Sequence, residues 1–290
     1  MIFLLYFLQT LFRLVFWLPP ALAIRAMRAA GRLIYLVAIR TPIRGTVQDN
    51  YRVLLPSADA AALADSLLNN ISQAIMEVIC FPFFRAEHFR LVCRLEGREN
   101  LDQALAGGKG VLLLTMHTGN YEMMQVLLPH LGYRLNAVMK APAGDAVFNF
   151  INRSRTAHGC KLINVTVSNM YRESLARLAD NEIIGLLVDT GANESRNETV
   201  LFLGKKMPAA IGWLTLAQRS EASLVVATCR RDHNQLLVKI EPPFRITTEN
   251  RDRQQEYVRR SFDDFIRAYP DQWALFLNKD EIGRIVQGEQ

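Results

Sequence analysis

The sequence is poor in residues that tie a chain together covalently or through a metal. Its 290 residues include four cysteines, Cys80, Cys93, Cys160 and Cys229. None forms a Cys-x-x-Cys pair, and their spacing suits neither a zinc site nor a disulfide framework. Cys80, His88 and Cys93 fall in one short interval, but the interval is not a metal-ligand pattern. Buried free thiols facing a reducing compartment are expected instead. Catalytic signatures are missing too. There is no Gly-x-Ser-x-Gly, which excludes a nucleophile elbow. There is no His-Glu-x-x-His and no second histidine at helical spacing, which argues against zinc. Neither a Walker A motif nor a Gly-x-Gly-x-x-Gly is present; Gly107-Gly108-Lys109-Gly110 precedes a strand instead of opening a helix. No low-complexity linker, internal repeat or composition break divides the chain, and no metal or bound organic cofactor is called for.

Negative charge is scarce at one end. The first 56 residues hold seven arginines, no lysine and a single acid, Asp49, so the formal excess of +6 lies in this first fifth. The same stretch is the most apolar. Met1–Ile24 is interrupted only by Gln9, Thr10 and Arg13 before Pro19-Pro20. About 18 apolar residues just suffice to span a bilayer. Arg13 and the Pro-Pro break equally allow a helix lying in the interface, and a buried core helix is the third possibility. No positive region precedes the run, so it is not a secretory signal. The arginines follow it, which places the bulk of the chain on the cytoplasmic side. Arg25, Arg28 and Arg32 recur at helical steps and form one basic face, fit for lipid headgroups or for solvent. A basic segment joined to an apolar one points to an anionic membrane surface. A nucleic-acid protein would carry its positive face on the folded domain, so no nucleic acid is expected as a partner. The chain is read as a membrane anchor or interfacial helix over 1–24 followed by one domain over 25–290.

After that segment comes a helix over Ser57–Ile79, with Ser57 as N-cap and Leu63, Leu67, Leu68, Ile71, Ile75 and Val78 as its apolar stripe. From Val92 the pattern alternates. Strands are expected at 110–116, 134–139, 161–165, 183–188, 223–229 and 236–240. Helices are expected at 101–106, 147–157, 168–179, 209–219 and 253–268. Apolar strands alternating with amphipathic helices indicate a single α/β domain with a mostly parallel or mixed sheet flanked by helices.

The informative stretch is Gly110–Gly132. An apolar strand ends at His117, the chain turns through Thr118-Gly119-Asn120, and a helix follows with Glu122 in its first turn. The helix N-terminus offers backbone N–H groups to an anion. Glu122 can hydrogen-bond one imidazole nitrogen and fix the tautomer, leaving the other to accept a proton from an alcohol. No serine or cysteine nucleophile stands beside the histidine, so direct transfer to an external hydroxyl needs fewer assumptions than a covalent intermediate.

These residues belong to a recognisable pattern. Leu18-Pro19 with Gly31-Arg32-Leu33, Asn50-Tyr51-Arg52 and Leu55-Pro56 open it. Glu96 to Leu101, Gly110 to Leu114 and His117-Thr118-Gly119-Asn120-Tyr121-Glu122 are its most specific part. Asn152-Arg153-Ser154-Arg155, Val188-Asp189, Phe202-Leu203-Gly204-Lys205 and Tyr269 to Trp273 follow. Over most of its length the chain resembles the lipid A late acyltransferase (lauroyl/myristoyl transferase) family of the lysophospholipid-acyltransferase-like superfamily. The resemblance implies a glycerol-3-phosphate-acyltransferase-like fold behind an N-terminal membrane-associated helix. It also implies a bacterial inner-membrane enzyme moving a fatty acyl group from an acyl-carrier-protein or coenzyme A thioester to a lipid or glycolipid hydroxyl. His117 is then the general base and Glu122 its partner. Arg153 or Arg155 binds an anionic group, Asp189 supports the site, and Asn120 and Lys140 complete the substrate-binding set. Two other activities fit the same fold, non-catalytic lipid binding and thioester hydrolysis. Phe81, Phe83, Phe84, Met123 and Met124 are candidates for an acyl-chain groove, with core packing as the alternative. The sequence departs from the family at Lys140, where arginine is usual before proline, at Thr190, where glutamine is usual, and after Trp273, where Ala-Leu-Phe-Leu-Asn-Lys replaces a tryptophan and a basic ending. These departures imply an acceptor with fewer or differently placed phosphates than a lipid A precursor.

Overall fold

Five helices precede the first strand. The computed structural model describes residues 2–140, 144–166, 169–189 and 197–287. Helix α1 (Ile2–Val15) ends ahead of Pro19, and α2 (Pro20–Ala38) begins with Pro20 in its first turn, where a missing N–H costs nothing. Residue 24 therefore lies inside α2, and the chain breaks at 16–19 instead. Next come α3 (Ile43–Leu54), α4 (Ala60–Cys80) and α5 (Ala86–Val92). The cap of α4 is Asp59, whose side chain accepts from the Ala61 and Ala62 amides, and not Ser57. Helix α3 carries no obvious apolar stripe. Its buried face, Val47, Asn50, Tyr51 and Leu54, is half polar because two of those side chains hydrogen-bond elsewhere in the fold.

The α/β part runs β1 (Cys93–Glu96), α6 (Arg98–Leu105), β2 (Val111–Thr115), α7 (Glu122–His130), β3 (Leu135–Met139), α8 (Ala146–Thr156), β4 (Lys161–Asn164), α9 (Met170–Ala179) and β5 (Ile183–Leu187). A hairpin follows, β6 (Asn197–Phe202) and β7 (Lys205–Ala210), then α10 (Gly212–Ser220), β8 (Ser223–Asp232), β9 (Gln235–Ile240), α11 (Arg251–Ala268) and α12 (Lys279–Gln287). The helix expected over 209–219 starts at Gly212 because 205–210 pairs antiparallel with 197–202. Seven strands form one sheet in the order β1-β9-β8-β2-β5-β3-β4. All pairings in it are parallel except β8 with β9, so the sheet is mixed. Every residue of β2 is buried, as expected of a central strand covered on both faces. Val111 and Leu113 enter a core shared with α1, α2 and α7. Leu112 and Leu114 enter a second core shared with α3, α10 and α11.

The N-terminal helices are part of this packing. Phe12 and Phe16 are buried, as are Ala23, Ile24 and Met27 of α2, while Phe3 is 86% and Trp17 81% exposed. Leu4, Phe7, Leu11 and Leu14 are exposed as well. Among the described residues no helix is long and apolar enough to cross a membrane. The basic face of α2 is incomplete. Arg28 turns inward, donating to the carbonyls of Leu91 and Asn234, while Arg25 and Arg32 are exposed. All four cysteines are buried and free.

Helix α2 lies close to α4 at Gly31. A Cβ there would stand 2.7 Å from Gln73 Oε1 and 2.8 Å from its Cδ. Gly31→Ala displaces the Gln73 amide and its hydrogen bond to the Arg28 carbonyl, a loss of about 0.5–1.5 kcal/mol offset by about 1 kcal/mol of helix propensity, so urea denaturation is expected to show a net change within about 1 kcal/mol.

Candidate active site

The site forms where β2 ends. Thr118 and Gly119 turn the chain, and Gly119 adopts φ +55°, a left-handed conformation natural to glycine. The turn is also crowded. A Cβ on Gly119 would meet the Cys229 carbonyl oxygen at 2.6 Å and Arg230 Cα at 2.9 Å. Strand β8 thus presses against the turn, and no side chain fits between them.

The turn is held from a distant part of the sequence. The Gly119 amide donates to the Gln272 carbonyl at 2.8 Å, and the Ala274 amide donates to the His117 carbonyl at 2.7 Å. The Gln272 side chain accepts from the Arg231 amide at 2.8 Å. The segment carrying Gln272 is itself tied to the N-terminal helices. Tyr51 donates to the Pro270 carbonyl at 2.9 Å and stacks on Phe276, Asn50 donates to the Phe276 carbonyl, and Ser66 donates to Asp271.

His117 projects from this frame with its side chain 21% exposed. Its Nδ1 lies 2.8 Å from Asp189 Oδ1, and its backbone amide donates to Asp189 Oδ2 at 2.8 Å. Trp273 Nε1 also donates to Asp189 Oδ2 at 2.8 Å. Burial alone would raise the Asp189 carboxyl, but the His117 charge and these hydrogen bonds outweigh it and hold it below its ordinary range. An ionised Asp189 accepts from Nδ1–H, and Nε2 then carries the lone pair of the neutral imidazole. The Tyr121 ring packs edge-on against the imidazole at 5.0 Å.

Glu122 is placed differently from the sequence expectation. Its carboxylate accepts from Arg155 through both Nε (2.7 Å) and Nη2, and from Gln125 Nε2 at 2.7 Å. The carboxylate on His117 Nδ1 is Asp189, 72 residues away in the chain, so tautomer fixing falls to Asp189. The reason is geometric: Glu122 opens α7 and faces α8, where Arg155 presents a planar fork that fits a carboxylate. Burial opposes the Arg155 charge, but Glu122 more than restores it and raises its pKa. Burial and the neighbouring Glu122 push the Tyr121 phenol up, so it stays a neutral hydroxyl.

The remaining expected residues separate. Asn120 is buried and gives its Nδ2 to Glu77 Oε2 at 2.8 Å. Lys140 is exposed just beyond β3, and Arg153 is exposed with Nη1 donating to the Tyr6 hydroxyl at 3.1 Å. Thr190 lies outside the described residues. Two members escaped the sequence reading. Glu77 is fully buried on α4, where Arg231 Nη2 donates to its Oε2 at 2.9 Å. A signal for it existed: Asn70, Gln73 and Glu77 recur at three- and four-residue steps and form a polar row on one face of the helix. Nothing local marks Arg231, since β8 alternates beyond the stretch expected as strand.

Two predictions follow from the two carboxylates. Arg155→Ala leaves Glu122 buried without its cation and is expected to cost about 3–5 kcal/mol; chemical denaturation measures this. Asp189 has a lowered folded pKa, so its contribution to stability is complete above the ordinary carboxylate range and is lost as pH falls through the folded value. The difference in Tm between wild type and Asp189→Asn is therefore expected to be full at neutral pH and to shrink below about pH 4. A difference independent of pH would contradict it.

Residues 1–279 match the model of the bacterial lipid A biosynthesis acyltransferase family. No curated protein matches the chain at the sequence level. Among solved structures, the 1-acyl-sn-glycerophosphate (LPA) acyltransferase PlsC from Thermotoga maritima aligns over 83% of this chain and 99% of its own, with 14% identity and a TM-score of 0.38.

Proposed function

Because the chain belongs to the bacterial lipid A biosynthesis acyltransferase family, we propose that it moves a fatty acyl group from an acyl-carrier-protein or coenzyme A thioester to a hydroxyl of a lipid or glycolipid, with His117 as general base. The observation that carries this reading is the His117–Asp189 pair at the open end of β2. Nε2 takes the proton as the acceptor oxygen attacks the thioester carbonyl. A C–O bond forms, the tetrahedral centre collapses, and the C–S bond breaks. The proton on Nε2 passes to the departing thiolate, which restores the neutral ring. Asp189 stabilises the imidazolium between the two transfers. Glu122 and Arg155 act on the site through Tyr121 and the start of α7, as a rigid wall beside the imidazole.

Arg155 is occupied by Glu122, so of the three cations expected to bind substrate, Lys140 and Arg153 are left exposed. This supports an acceptor with fewer or differently placed phosphates than a lipid A precursor. The test is transfer from labelled acyl-carrier-protein and coenzyme A thioesters to phosphorylated diglucosamine lipids, neutral lipids and amino lipids. His117→Ala is expected to lose about 10²–10⁴ in rate. Fatty acid released at one rate with and without acceptor would instead identify a hydrolase, and full function of His117→Ala a non-catalytic lipid-binding protein.

The same reading places α1 in a membrane interface. Its exposed Phe3 and Phe7, with Trp17 just beyond its end, form an apolar surface next to Arg13, the composition of an interfacial helix. Phe3→Ser/Phe7→Ser/Trp17→Ser is expected to abolish flotation with anionic vesicles while leaving the thermal transition in place. Unchanged flotation would remove α1 from the interface.

A further inference from the structure

A closed circuit of hydrogen bonds surrounds the turn that carries His117, and the proton transfers do not use it. The Gly119 amide donates to the Gln272 carbonyl at 2.8 Å. The Gln272 side-chain oxygen accepts from the Arg231 amide at 2.8 Å. The Arg231 guanidinium donates through Nη2 to Glu77 Oε2 at 2.9 Å. The same Oε2 accepts from Asn120 Nδ2 at 2.8 Å, which returns the circuit to the residue after Gly119. The turn, α4, β8 and the stretch before Trp273 are distant in sequence and are linked here around one corner of the chain. Asn120 is the last link before the site. Its backbone carbonyl accepts from the Met123 amide at 2.9 Å and from the Cys229 thiol at 3.3 Å. The next residue, Tyr121, packs edge-on against the imidazole.

The circuit is a poor stabiliser. Glu77 is fully buried, Asn120 is 1% exposed, and the Arg231 side chain is 9% exposed. Glu77 outweighs the burial of Arg231 and raises its pKa, so the guanidinium stays charged. One carboxylate oxygen takes both side-chain donors. Glu77 Oε1, Asn120 Oδ1 and Arg231 Nε are buried without a partner, and each such atom carries a desolvation penalty that no bond offsets. Apolar side chains of similar volume in place of a buried ion pair are often neutral or stabilising. A polar cluster that stability does not favour, built against the turn after the general base, marks a place where position is held against stability.

We propose that Glu77 and Arg231 are positioning residues for the transfer reaction: through Asn120 they fix the turn, and the turn fixes the His117 imidazole against the acceptor hydroxyl. Both are buried, so their effect passes through Asn120 and not through contact with substrate. The inference rests on the acyl-transfer reading above and adds what holds its base in place. It also gives Asn120 a role other than substrate binding, since its side-chain amide is given to Glu77.

The experiment compares kcat and KM of wild type with two variants, each assayed at a temperature where circular dichroism shows it fully folded. Glu77→Leu/Asn120→Leu/Arg231→Met removes the polar groups of the cluster together. Its kcat is expected to fall at least ~10-fold with KM unchanged, because misplacing a reacting group by about 1 Å can cost ~10²-fold. Its Tm is expected to stay at or above that of wild type. Glu77→Gln/Asn120→Asp exchanges carboxylate and amide, keeps one of each beside Arg231, and is expected to recover most of the lost kcat. In a His117→Ala background the triple substitution is expected to have no further effect on kcat, because the ring it positions is gone. Unchanged kcat in the triple variant, no recovery in the exchange, or an equal factor in both backgrounds overturns the proposal. If wild type transfers no chain at all, the acyl-transfer reading fails separately. The positioning is then judged by carbethoxylation of His117 with diethyl pyrocarbonate, read by mass spectrometry with the exposed His130 as reference. The triple variant must change the ratio of His117 to His130 modification and the exchange must restore it; a ratio equal in all three proteins overturns the positioning.

Discussion

The Asp189 carboxylate is the constraint from which the site is built. It is buried, it is charged, and a charge in that position is tolerated only if its oxygens are satisfied. Donors reach it from two stretches, His117 through backbone and ring and Trp273 through its indole. Satisfying Asp189 therefore requires the segment around Trp273 to lie across the end of β2. That segment in turn supplies the Gln272 carbonyl and the Ala274 amide that clamp the turn. Helices α3 and α4 hold the clamp from behind through Asn50, Tyr51 and Ser66. A run of N-terminal residues with no chemistry of its own thus sets the geometry of the imidazole.

The site holds further carboxylates, and their roles are separated by what surrounds them. Asp189 faces an imidazole and an indole and holds the His117 ring through Nδ1. Glu122 faces a guanidinium fork and an amide, a closed arrangement that fixes α7 against α8. Glu77 lies on the other side of the turn and joins Asn120 to Arg231, so the turn is braced from α4 and β8 together. Each pair is costly to bury and costlier to break. The energy invested goes into the position of one histidine ring.

The arrangement of the sheet brings two distant residues together at one end. Parallel strands bring the ends of β2 and β5 together, which is how His117 and Asp189 meet. Four residues further in, the same two strands place Leu113 beside Gly185, where a side chain is missing below the site.

Much of this was legible in the sequence because it depends on local pattern. Buried strand runs, amphipathic helices and the strand–His–turn–helix unit follow from periodicity and turn chemistry, and an acyltransferase of mixed α/β fold was readable from the motifs. What was not legible depends on partners distant in the chain. Ser57 and Asp59 are both competent caps, and the packing of α4 selects the second. Helix α3 has a half-polar buried face that makes sense only against residues 270–276. Glu122 stands five residues from His117 and Asp189 seventy-two, so proximity in sequence favoured the wrong carboxylate for Nδ1. The residue types at the site were determined by the sequence alone. The pairing of acid with base was decided by tertiary structure, because strand register and the Arg155 fork draw Glu122 away and bring Asp189 in.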